Sequence, residues 1–385
     1  MSFLPASVEA YLSMECIQGV MDVIVPGLPQ PLPAAYYQAV DKDGMQWGTD
    51  LTVGQRQLAP MVPSDAPSPK VDKQPLDQRQ FKMLTPKFHD VLNPAQLMQL
   101  RALGATQQDT MAKKWVARTV KDNLQRLENT RIACVHRVLC GSGILYVDKD
   151  GNLLSSSSGA VVTINQAPPT VNTLRGKLID GSTNIIGTSW DNTAATIPAD
   201  VQLILKTAVQ RTGYKPTTAI YGPNIPFYLM GNTAIKGLFP GVVQALATAF
   251  AMGAIPDGFL GIQKWIPGAE AFWIDHTGYY AGQNPTTDEY AAAMHSEVGN
   301  DSLVLLPDAN AGFYELAQGQ MPVPVSNDIL GATEDVIQAG FVLTQGKYGY
   351  AYITKDPVGV KLVYGDTFLP AIPVLGARWN LTVKF

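Results

Sequence analysis

Residues Thr110–Leu139 read TMAKKWVARTVKDNLQRLENTRIACVHRVL, the most regular pattern in the chain. Apolar side chains recur there at three- and four-residue spacing, the period of a helix with one buried face. They are Met111, Trp115, Val116, Val120, Leu124, Leu127, Ile132, Val135 and Val138. No Gly or Pro interrupts the segment, and Gly141 follows it as a stop signal. The pattern predicts one helix of about 30 residues and about 45 Å, much longer than an average globular helix.

The chain before this helix is predicted to start with an extended arm, residues 1–33. A short helix is expected over Ala6–Ile17. Four prolines then follow at positions 26, 29, 31 and 33, and their fixed backbone angle forces an extended path. Because such a segment has no hydrophobic partner of its own, we expect it to dock on something else, such as a neighbouring subunit.

Residues 34–84 are predicted to form a long two-stranded excursion. Asp43-Gly44 has the composition of a tight turn, with aromatic and apolar residues on both sides, and predicts strands paired around it. Five prolines between Pro60 and Pro75 exclude helix and central strand from that part. The alternation of a strand resumes at Gln78–Leu84. Long excursions of this kind are typical of binding elements.

Beyond the helix the pattern predicts a hairpin, a polar segment and a mixed α/β region. The hairpin is expected over residues 144–164, and the Thr- and Asn-rich stretch 165–192 is interpreted as loop or insertion. Helices and short strands alternate from residue 197 onward. The predicted elements are helices at Asp200–Gly213 and Val242–Met252, a second helical region at Pro223–Phe239, strands at Thr217–Tyr221, Gly261–Ile266, Ala271–Ile274 and Ser302–Leu306, and an alternating tail at Gly349–Phe385 that ends in a strand at Trp379–Val383.

The composition indicates a chain whose apolar surface is covered by neighbours. Hydrophobic residues make up 46% of the 385 residues and charged residues only 16%, with 28 Pro and 34 Gly. Soluble domains usually carry about 25% charged residues. Apolar faces on long irregular segments would be exposed in a monomer, whereas they would be buried in an assembled subunit.

Charge is unevenly placed along the chain. The net charge is −4, yet Pro67–Cys140 holds 13 Lys and Arg against 6 Asp and Glu, and the rest of the chain holds 15 against 26. A basic middle in an acidic protein fits a face that lies near phosphate, and it fits a solvated helix face equally well.

The sequence predicts a soluble protein made in a reducing cytosol. Cys16, Cys134 and Cys140 form no CxxC pair and are odd in number, which argues against a disulfide framework. No basic segment precedes an apolar core near the start, so no signal peptide is expected. The longest apolar run, Gly241–Ile255, is too short for a bilayer span of roughly 20 residues.

Few residue patterns in the sequence indicate a catalytic, metal-binding or phosphate-binding site. The four histidines, at positions 89, 136, 276 and 295, lie in no metal-binding spacing. Asp275-His276 is an adjacent acid–base pair, for which a surface or half-buried histidine is the favoured interpretation. Gly141-Ser142-Gly143 lacks the ending of a phosphate loop and favours a helix cap and turn. We therefore expect no catalytic residue, no cofactor and no metal site.

Three stretches carry a family resemblance: Leu124–Val147 (LQRLENTRIACVHRVLCGSGILYV), Gly187–Val201 (GTSWDNTAATIPADV) and Thr218–Phe239 (TAIYGPNIPFYLMGNTAIKGLF). They resemble the phage major capsid protein E family, the lambda-type branch of tailed-phage major capsid proteins. In that family a long spine helix carries a glutamate and leaves by a Leu-x-Gly exit, and a Trp precedes a later helix. Glu128, Leu139-Cys140-Gly141 and Trp190 stand at matching places.

The resemblance implies an α+β fold of the Hong Kong 97 type. Its parts are an N-arm, an E-loop hairpin, a long spine helix with a P-domain sheet, and a mixed α/β A-domain. The implied boundaries are an N-terminal arm at 1–33, an E-loop at 34–84, a P-domain with spine helix and hairpin at 85–196 that includes an insertion at 165–192, an A-domain at 197–348, and C-terminal strands at 349–385 that return to the P-domain.

The resemblance also implies a function. Such a protein self-assembles into the icosahedral shell of a tailed bacteriophage and encloses its double-stranded DNA, after synthesis in the host bacterial cytoplasm. The implied partners are the protein itself as hexamers and pentamers, a scaffolding protein, a portal, a decoration protein and packaged DNA bound without sequence specificity, with no membrane partner. The alternatives are an encapsulin-like nanocompartment shell, another phage structural part such as a tail protein, and a cytosolic hydrolase that uses Asp275 and His276.

Two groups of residues are candidates for these contacts. The subunit-interface candidates are aromatic or basic residues on the excursion, Tyr36, Tyr37, Trp47, Lys70 and Lys73. For the aromatic residues, core packing beneath the excursion is the alternative. The candidates for the interior, DNA-facing side are basic residues of the long helix, Lys113, Lys114, Arg118, Lys121 and Arg126, for which a solvated helix face is the alternative.

Overall fold

A computed structural model of the chain describes residues 30, 32–51, 77–92, 105–140, 186–222, 224–238, 271–274, 279–280, 294–295, 298–324, 341–355 and 358–384. These ranges contain both helices and strands in separate layers, so the fold is of the α+β class. The helices are α1 (Ala105–Cys140), α2 (Ile197–Thr212), α3 (Ile225–Gly231) and α4 (Thr233–Leu238). The strands are β1 (Ala39–Asp41), β2 (Gln46–Leu51), β3 (Asp77–Lys82), β4 (Lys87–Leu92), β5 (Pro216–Tyr221), β6 (Ala271–Ile274), β7 (Tyr279–Tyr280), β8 (Met294–His295), β9 (Ser302–Pro307), β10 (Glu315–Gln318), β11 (Gln320–Pro324), β12 (Phe341–Gln345), β13 (Tyr348–Lys355), β14 (Val358–Gly365), β15 (Phe368–Ala371) and β16 (Trp379–Thr382).

Helix α1 confirms the prediction of one long helix and extends it at its start. Its 36 residues correspond to roughly 54 Å at 1.5 Å per residue. Between Val120 and Leu127 one face is buried and the other is exposed. From Ile132 to Cys140 the helix is buried or half-buried on every side, so its last turns lie inside the protein.

A four-stranded sheet in the order β16-β9-β5-β6 separates two hydrophobic cores. Because successive side chains on a strand point to opposite faces, Tyr221 and Leu305 lie in one core and Ile220 and Val304 in the other. The first core is closed by α2, α3, α4 and Trp190. The second core receives the end of α1, together with residues of β10 and β15.

Helix α2 forms where the amphipathic pattern predicts it. Val201, Ile204, Leu205 and Ala208 line its buried face. Gly213 ends the helix at φ +83°, a left-handed conformation that glycine adopts without the steric penalty that a Cβ atom brings to other residues. The predicted strands at Thr217–Tyr221, Ala271–Ile274 and Ser302–Leu306 are confirmed as β5, β6 and β9.

The predicted helical region at Pro223–Phe239 is confirmed in its described part, where it consists of two short helices, α3 and α4. Asn232 separates them with an extended backbone at ψ 130°. Its side-chain Oδ1 accepts a hydrogen bond from the N–H of Ile235 at 3.1 Å, which caps α4. Its Nδ2 donates to the carbonyl of Ala195 at 2.7 Å, so a buried amide holds both helices to the loop before α2.

The predicted pairing of strands around Asp43-Gly44 is wrong. β1 pairs in parallel with β10, and β2 pairs antiparallel with β3, so the two strands that flank the turn have different partners. Gly44 has φ +84° and its carbonyl accepts a hydrogen bond from Gln320 N–H at 3.0 Å. The turn is therefore anchored to β11 and directs β2 away from β1.

The C-terminal segment contributes strands to three sheets. β13 and β14 form a sheet in the order β13-β14-β4, β15 pairs with β10, and β16 joins the central sheet beside β9. The predicted alternating tail and its final strand are confirmed as strands. β11 pairs with β12, and β7 with β8.

Several predicted features lie outside the described residues. They are the arm helix at Ala6–Ile17, the proline-rich stretch Pro60–Pro75, the hairpin over 144–164, most of the insertion 165–192, the helix Val242–Met252, the strand Gly261–Ile266, and the residues Lys70, Lys73, Asp275 and His276.

Candidate functional surfaces

The end of the predicted arm is fixed to the core of its own chain. Leu32 is buried, and a single 3-10 turn at Ala34–Tyr36 follows it. The Tyr36 ring is fully buried, and its hydroxyl donates to the carbonyl of Pro307 at 2.5 Å. Burial raises the pKa of Tyr36 well above its ordinary value. Tyr36 is therefore packed in the core of its own chain, which was the alternative to a role at a subunit interface.

Tyr37 lies half-buried beside α1. Its hydroxyl and Nε2 of the buried His136 are 2.7 Å apart, within hydrogen-bond distance. The two rings meet edge to face at 5.8 Å. Burial raises the pKa of the Tyr37 hydroxyl, so the neutral phenol is the form present. This contact joins the beginning of the described chain to the long helix, and a role for Tyr37 between subunits stays a prediction.

Two paired strands of the excursion, β2 and β3, lead to its part outside the described residues. Trp47 on β2 stands opposite Phe81 on β3, and the pair ends at Leu51 opposite Asp77. The structure describes the backbone of Trp47 but not its side chain. The candidates Lys70 and Lys73 follow in the sequence between these strands, outside the described residues.

Three of the five basic candidates on α1 are exposed on one side of the helix. At about 100° per residue, Arg118, Lys121 and Arg126 fall within roughly 140° of the helix circumference. All three side chains are exposed. Arg118 Nε and Asp122 Oδ2 are 3.8 Å apart, a solvated pair of little energetic weight. Lys113 and Lys114 lie on the same helix, and their side chains are not described.

The opposite side of α1 carries a buried ion pair that sequence reasoning missed. Arg131 donates from Nε to Oδ2 of Asp366 at 2.9 Å and from an Nη to Oδ1 at 2.6 Å. Asp366 is fully buried, and its Oδ1 also accepts from the N–H of Thr367 at 2.8 Å. The Arg131 guanidinium stands 5.3 Å from the centre of the Phe368 ring. The pair holds α1 to the link between β14 and β15.

A second ion pair strengthens the same junction. Lys347 follows β12, and its ammonium contacts the carboxylate of Glu128 on α1. The two ion pairs lie one helical turn apart, so the middle of α1 is attached to the link before β13 and to the link after β14.

The C-terminal end of α1 is capped by residues from the end of the chain. Arg378 donates to the carbonyl of Val138, and Asn380 Nδ2 donates to the carbonyl of Cys140 at 2.7 Å. The last carbonyls of a helix have no partner inside the helix and carry partial negative charge. Burial lowers the pKa of Arg378 to about 10, which still leaves the guanidinium charged at neutral pH.

A polar cluster closes the first core next to Trp190. The indole Nε1 donates to Oδ2 of Asp200 at 3.0 Å, and the hydroxyl of Thr196 donates to Oδ1 at 3.4 Å. The backbone N–H of Trp190 donates to the carbonyl of Val383 at 2.9 Å. Burial raises the pKa of Asp200, and the two hydrogen bonds oppose that rise. Trp190 therefore joins α2 to the end of the chain.

The start of α3 carries an exposed aromatic residue and a tyrosine that contacts Asp301, which precedes β9. Phe227 is 58% exposed. The neighbouring Tyr228 donates its hydroxyl to Asp301, which also accepts from Asn224 Nδ2 at 2.9 Å. The hydrogen bond from Tyr228 holds the pKa of Asp301 below its ordinary value, so this carboxylate stays charged.

Three of the four histidines lie in the described part of the chain. His89 is exposed on β4, His136 is buried beside Tyr37, and His295 belongs to β8. Within the described ranges, no group of three or more His, Cys, Asp and Glu side chains could hold a metal ion. None of the helices in those ranges combines the length and the apolarity that crossing a bilayer requires.

The comparisons with known proteins give a family and several structural likenesses. The family described as phage major capsid protein E matches residues 45–262, more than half of the chain. No curated protein matches this chain. The mature capsid of bacteriophage PhiM1 is 8% identical, with a TM-score of 0.43 over 94% of this chain and 90% of that chain. A phage-related protein from Bordetella bronchiseptica RB50 is 9% identical, with a TM-score of 0.43 over 96% and 97%. The SrpI encapsulin of Synechococcus elongatus PCC 7942 is 10% identical, with a TM-score of 0.40 over 94% and 91%.

Proposed function

The chain belongs to the phage major capsid protein E family and is a phage major capsid protein, and we propose that its copies assemble into the icosahedral shell of a tailed bacteriophage around double-stranded DNA. The observation that carries this proposal is the family match over residues 45–262. That range includes the paired strands β2 and β3, the whole of α1, and helices α2 to α4.

The parts of the described fold fit a layout of the Hong Kong 97 type. In this proposal α1 is the spine helix, and β2 with β3 forms the base of an E-loop over 34–84. The sheet β13-β14-β4 belongs to the P-domain over 85–196, and the central sheet with α2 to α4 belongs to the A-domain over 197–348. The C-terminal strands 349–385 contribute to both the P-domain and the A-domain, because β14 pairs with β4 and β16 pairs with β9.

Assembly would complete the burial that a single chain leaves unfinished. Tyr36 and Leu32 fix the end of the arm in the core, so residues 1–33 would reach a neighbour from a defined starting point. The outer part of the E-loop, residues 52–76, starts from the paired residues Leu51 and Asp77 in the same way. A shell subunit has several neighbours, and its total contact area could exceed the roughly 1,600 Å² of a standard pair interface without any strong single contact. Tyr37, Trp47, Lys70 and Lys73 are the proposed contact residues on these segments.

The exposed basic side of α1 is the proposed inner, DNA-facing surface. Arg118, Lys121 and Arg126 present their charges to solvent on one side of the helix, and Lys113 and Lys114 belong to the same basic segment. Contacts between such residues and phosphate need no base sequence. That is the requirement for a shell that encloses a whole genome.

The family membership also motivates the proposed partners and site of assembly. We place the shell subunit in the virion, as hexamers and pentamers formed in the host bacterial cytoplasm. A scaffolding protein, a portal and a decoration protein are the proposed additional partners. No enzymatic role is part of this proposal.

Electron microscopy of the purified protein tests the proposal directly. We expect negative-stain images to show closed, regular particles after expression of the full chain. A compact monomer or dimer without particles would contradict the proposal and favour the hydrolase alternative. An encapsulin-like compartment would also form particles, and the neighbouring genes distinguish the two: terminase and portal genes accompany a phage capsid, whereas an enzyme cargo gene accompanies a compartment.

A further inference from the structure

Gly319 is the single residue between β10 and β11, and its backbone is bonded to both links that attach to α1. Its N–H donates to the carbonyl of Thr367 at 3.0 Å, and its carbonyl accepts from the N–H of Gly346 at 2.9 Å. Thr367 follows Asp366, whose side chain forms one ion pair with α1. Gly346 precedes Lys347, whose side chain forms the other. Gly319 is therefore connected to the long helix through two separate segments.

The base of the paired strands β2 and β3 also packs against Gly319. A Cβ atom at this position would lie 2.7 Å from the carbonyl oxygen of Gly44, in the turn before β2, and closer still to the sulfur of Met83, which follows β3. The Cγ2 atom of Thr367 would lie 3.0 Å away, whereas ordinary contacts of a Cβ atom begin at 3.4 Å. These three segments can meet so closely only because residue 319 has no side chain.

The contacts at this base can set the direction of β2 and β3. Within the described part of the chain, these two strands form a sheet of their own and pair only with each other. Each strand has six residues, which extend roughly 20 Å at about 3.3 Å per residue. A small tilt at Gly44 or Met83 therefore becomes a larger displacement at the far end, where Leu51 and Asp77 are opposite each other.

We propose that Gly319 is a positioning residue for assembly, which sets the direction of β2 and β3 relative to α1, so that the outer part of the E-loop reaches the neighbouring copy at a defined angle. This inference rests on the proposed function, in which residues 34–84 form the E-loop. Gly319 acts through Gly44 and Met83 and does not itself contact the neighbour. The two ion pairs hold α1, and Gly319 relates the strands to this fixed helix.

A distance measurement in unassembled subunits tests the positioning. Spin labels are attached at Thr130, which is exposed on α1, and at Gln78 on β3, through an unnatural ketone-bearing amino acid that leaves the native cysteines unlabelled. In the parent chain we expect one narrow distribution of the distance between the labels. In Gly319→Ala the added Cβ atom must displace the carbonyl of Gly44. We therefore expect the mean distance to shift, and electron micrographs of the full-length variant to show no closed particles.

The matched control is Gly222→Ala, in the residue that follows β5. A Cβ atom there would lie 2.6 Å from the carbonyl oxygen of Asn300 and closer still to that of Gly299, so the substitution creates a similar backbone conflict beside the central sheet. We expect both variants to lower the thermal unfolding midpoint, but only Gly319→Ala to shift the distance between the labels. If Gly319→Ala does not fold, the double variant Gly319→Ala, Met83→Ala removes the closest conflict and supplies the same measurement.

The other outcomes would overturn the inference in distinguishable ways. A broad distance distribution in the parent chain, or an unchanged distance in Gly319→Ala, would show that Gly319 does not fix the direction of the strands. Equal shifts in Gly319→Ala and Gly222→Ala would show a loss of packing throughout the subunit. Normal particles from Gly319→Ala despite a shifted distance would show that this direction does not control assembly, while the shell function stands. Absence of particles from the parent chain would instead contradict the proposed function itself.

Discussion

The buried ion pair of Arg131 and Asp366 shows how one residue attaches the long helix to the rest of the fold. Arg131 lies on the apolar side of α1, four residues after Leu127 and seven after Leu124, where the pattern calls for a hydrophobic side chain. A charge in a buried stripe is a signal that a partner exists, and the sequence contained that signal. The identity of the partner, 235 residues further on, was not available from local spacing.

Replacing Arg131 by Met tests how much the fold depends on this pair. The variant keeps the length of the side chain but leaves the fully buried Asp366 carboxylate without its cation. We expect the free energy of unfolding to fall by about 3–5 kcal/mol, measured by urea unfolding of unassembled subunits. The matched control is Arg118→Met on the same helix, whose exposed pair with Asp122 should change stability by less than about 0.5 kcal/mol. Equal effects of the two substitutions would contradict this assignment.

Asp200 provides a prediction about pH. Burial raises its pKa in the folded state, so the folded chain binds this proton more tightly than the unfolded chain. The resulting stabilisation is fully present below the ordinary aspartate pKa and is lost as pH rises through the raised value. Asp200→Asn keeps an acceptor for Trp190 and has no charge to bury. We expect its stability relative to the parent to increase as pH rises through that window, measured by unfolding at a series of pH values. Parallel profiles for the two proteins would contradict this.

At the scale of elements, local patterns predicted helices and strands better than their partners. The period of α1 and the capping glycine of α2 are local signals, and both helices form where expected. The turn at Gly44 was also predicted, but β1 and β2 pair with β10 and β3 instead of with each other. The pairing depends on β3 and β10, which lie later in the sequence, and the residues of the turn do not specify these partners. Likewise, Arg378 and Asn380 cap α1 from 240 residues away.

Deleting residues 60–75 tests the excursion as an element. Leu51 and Asp77 are opposite each other in the β2–β3 pair. The deletion leaves residues 52–59 and 76 to connect them, a chain long enough for a hairpin loop. We expect the subunit to keep its thermal unfolding midpoint but to lose closed particles in electron micrographs. A Gly-Ser replacement of equal length separates the effect of sequence from that of length. Normal particles from the deletion would contradict the role of an E-loop.

At the scale of the whole molecule, the central sheet and the end of α1 contribute to the two large hydrophobic cores. The sheet separates two cores, and the buried end of α1 enters the second of them, while Arg118, Lys121 and Arg126 are exposed on one side of its earlier turns. The sequence showed the uneven charge and the long helix, but it left two interpretations of the basic residues open. The structure describes three of them as exposed on one side, which both interpretations require. An experiment on binding must therefore decide between them.

Neutralising the basic side of α1 provides that decision. In the variant Arg118→Gln, Lys121→Gln, Arg126→Gln, all three changes are at exposed positions, so the fold should be retained. The logarithm of the affinity falls linearly with the logarithm of the salt concentration. Each phosphate contact that is lost reduces the magnitude of this slope by about 0.9. If the side faces DNA, binding of duplex DNA by purified subunits should weaken and its salt slope should fall by about 2 to 3. The matched control neutralises three exposed lysines of the α2 to α4 region, Lys206, Lys215 and Lys236, and should leave the slope unchanged. The same loss in both variants would mean that overall charge, and not this side of α1, attracts DNA, and the solvated-face interpretation would then hold.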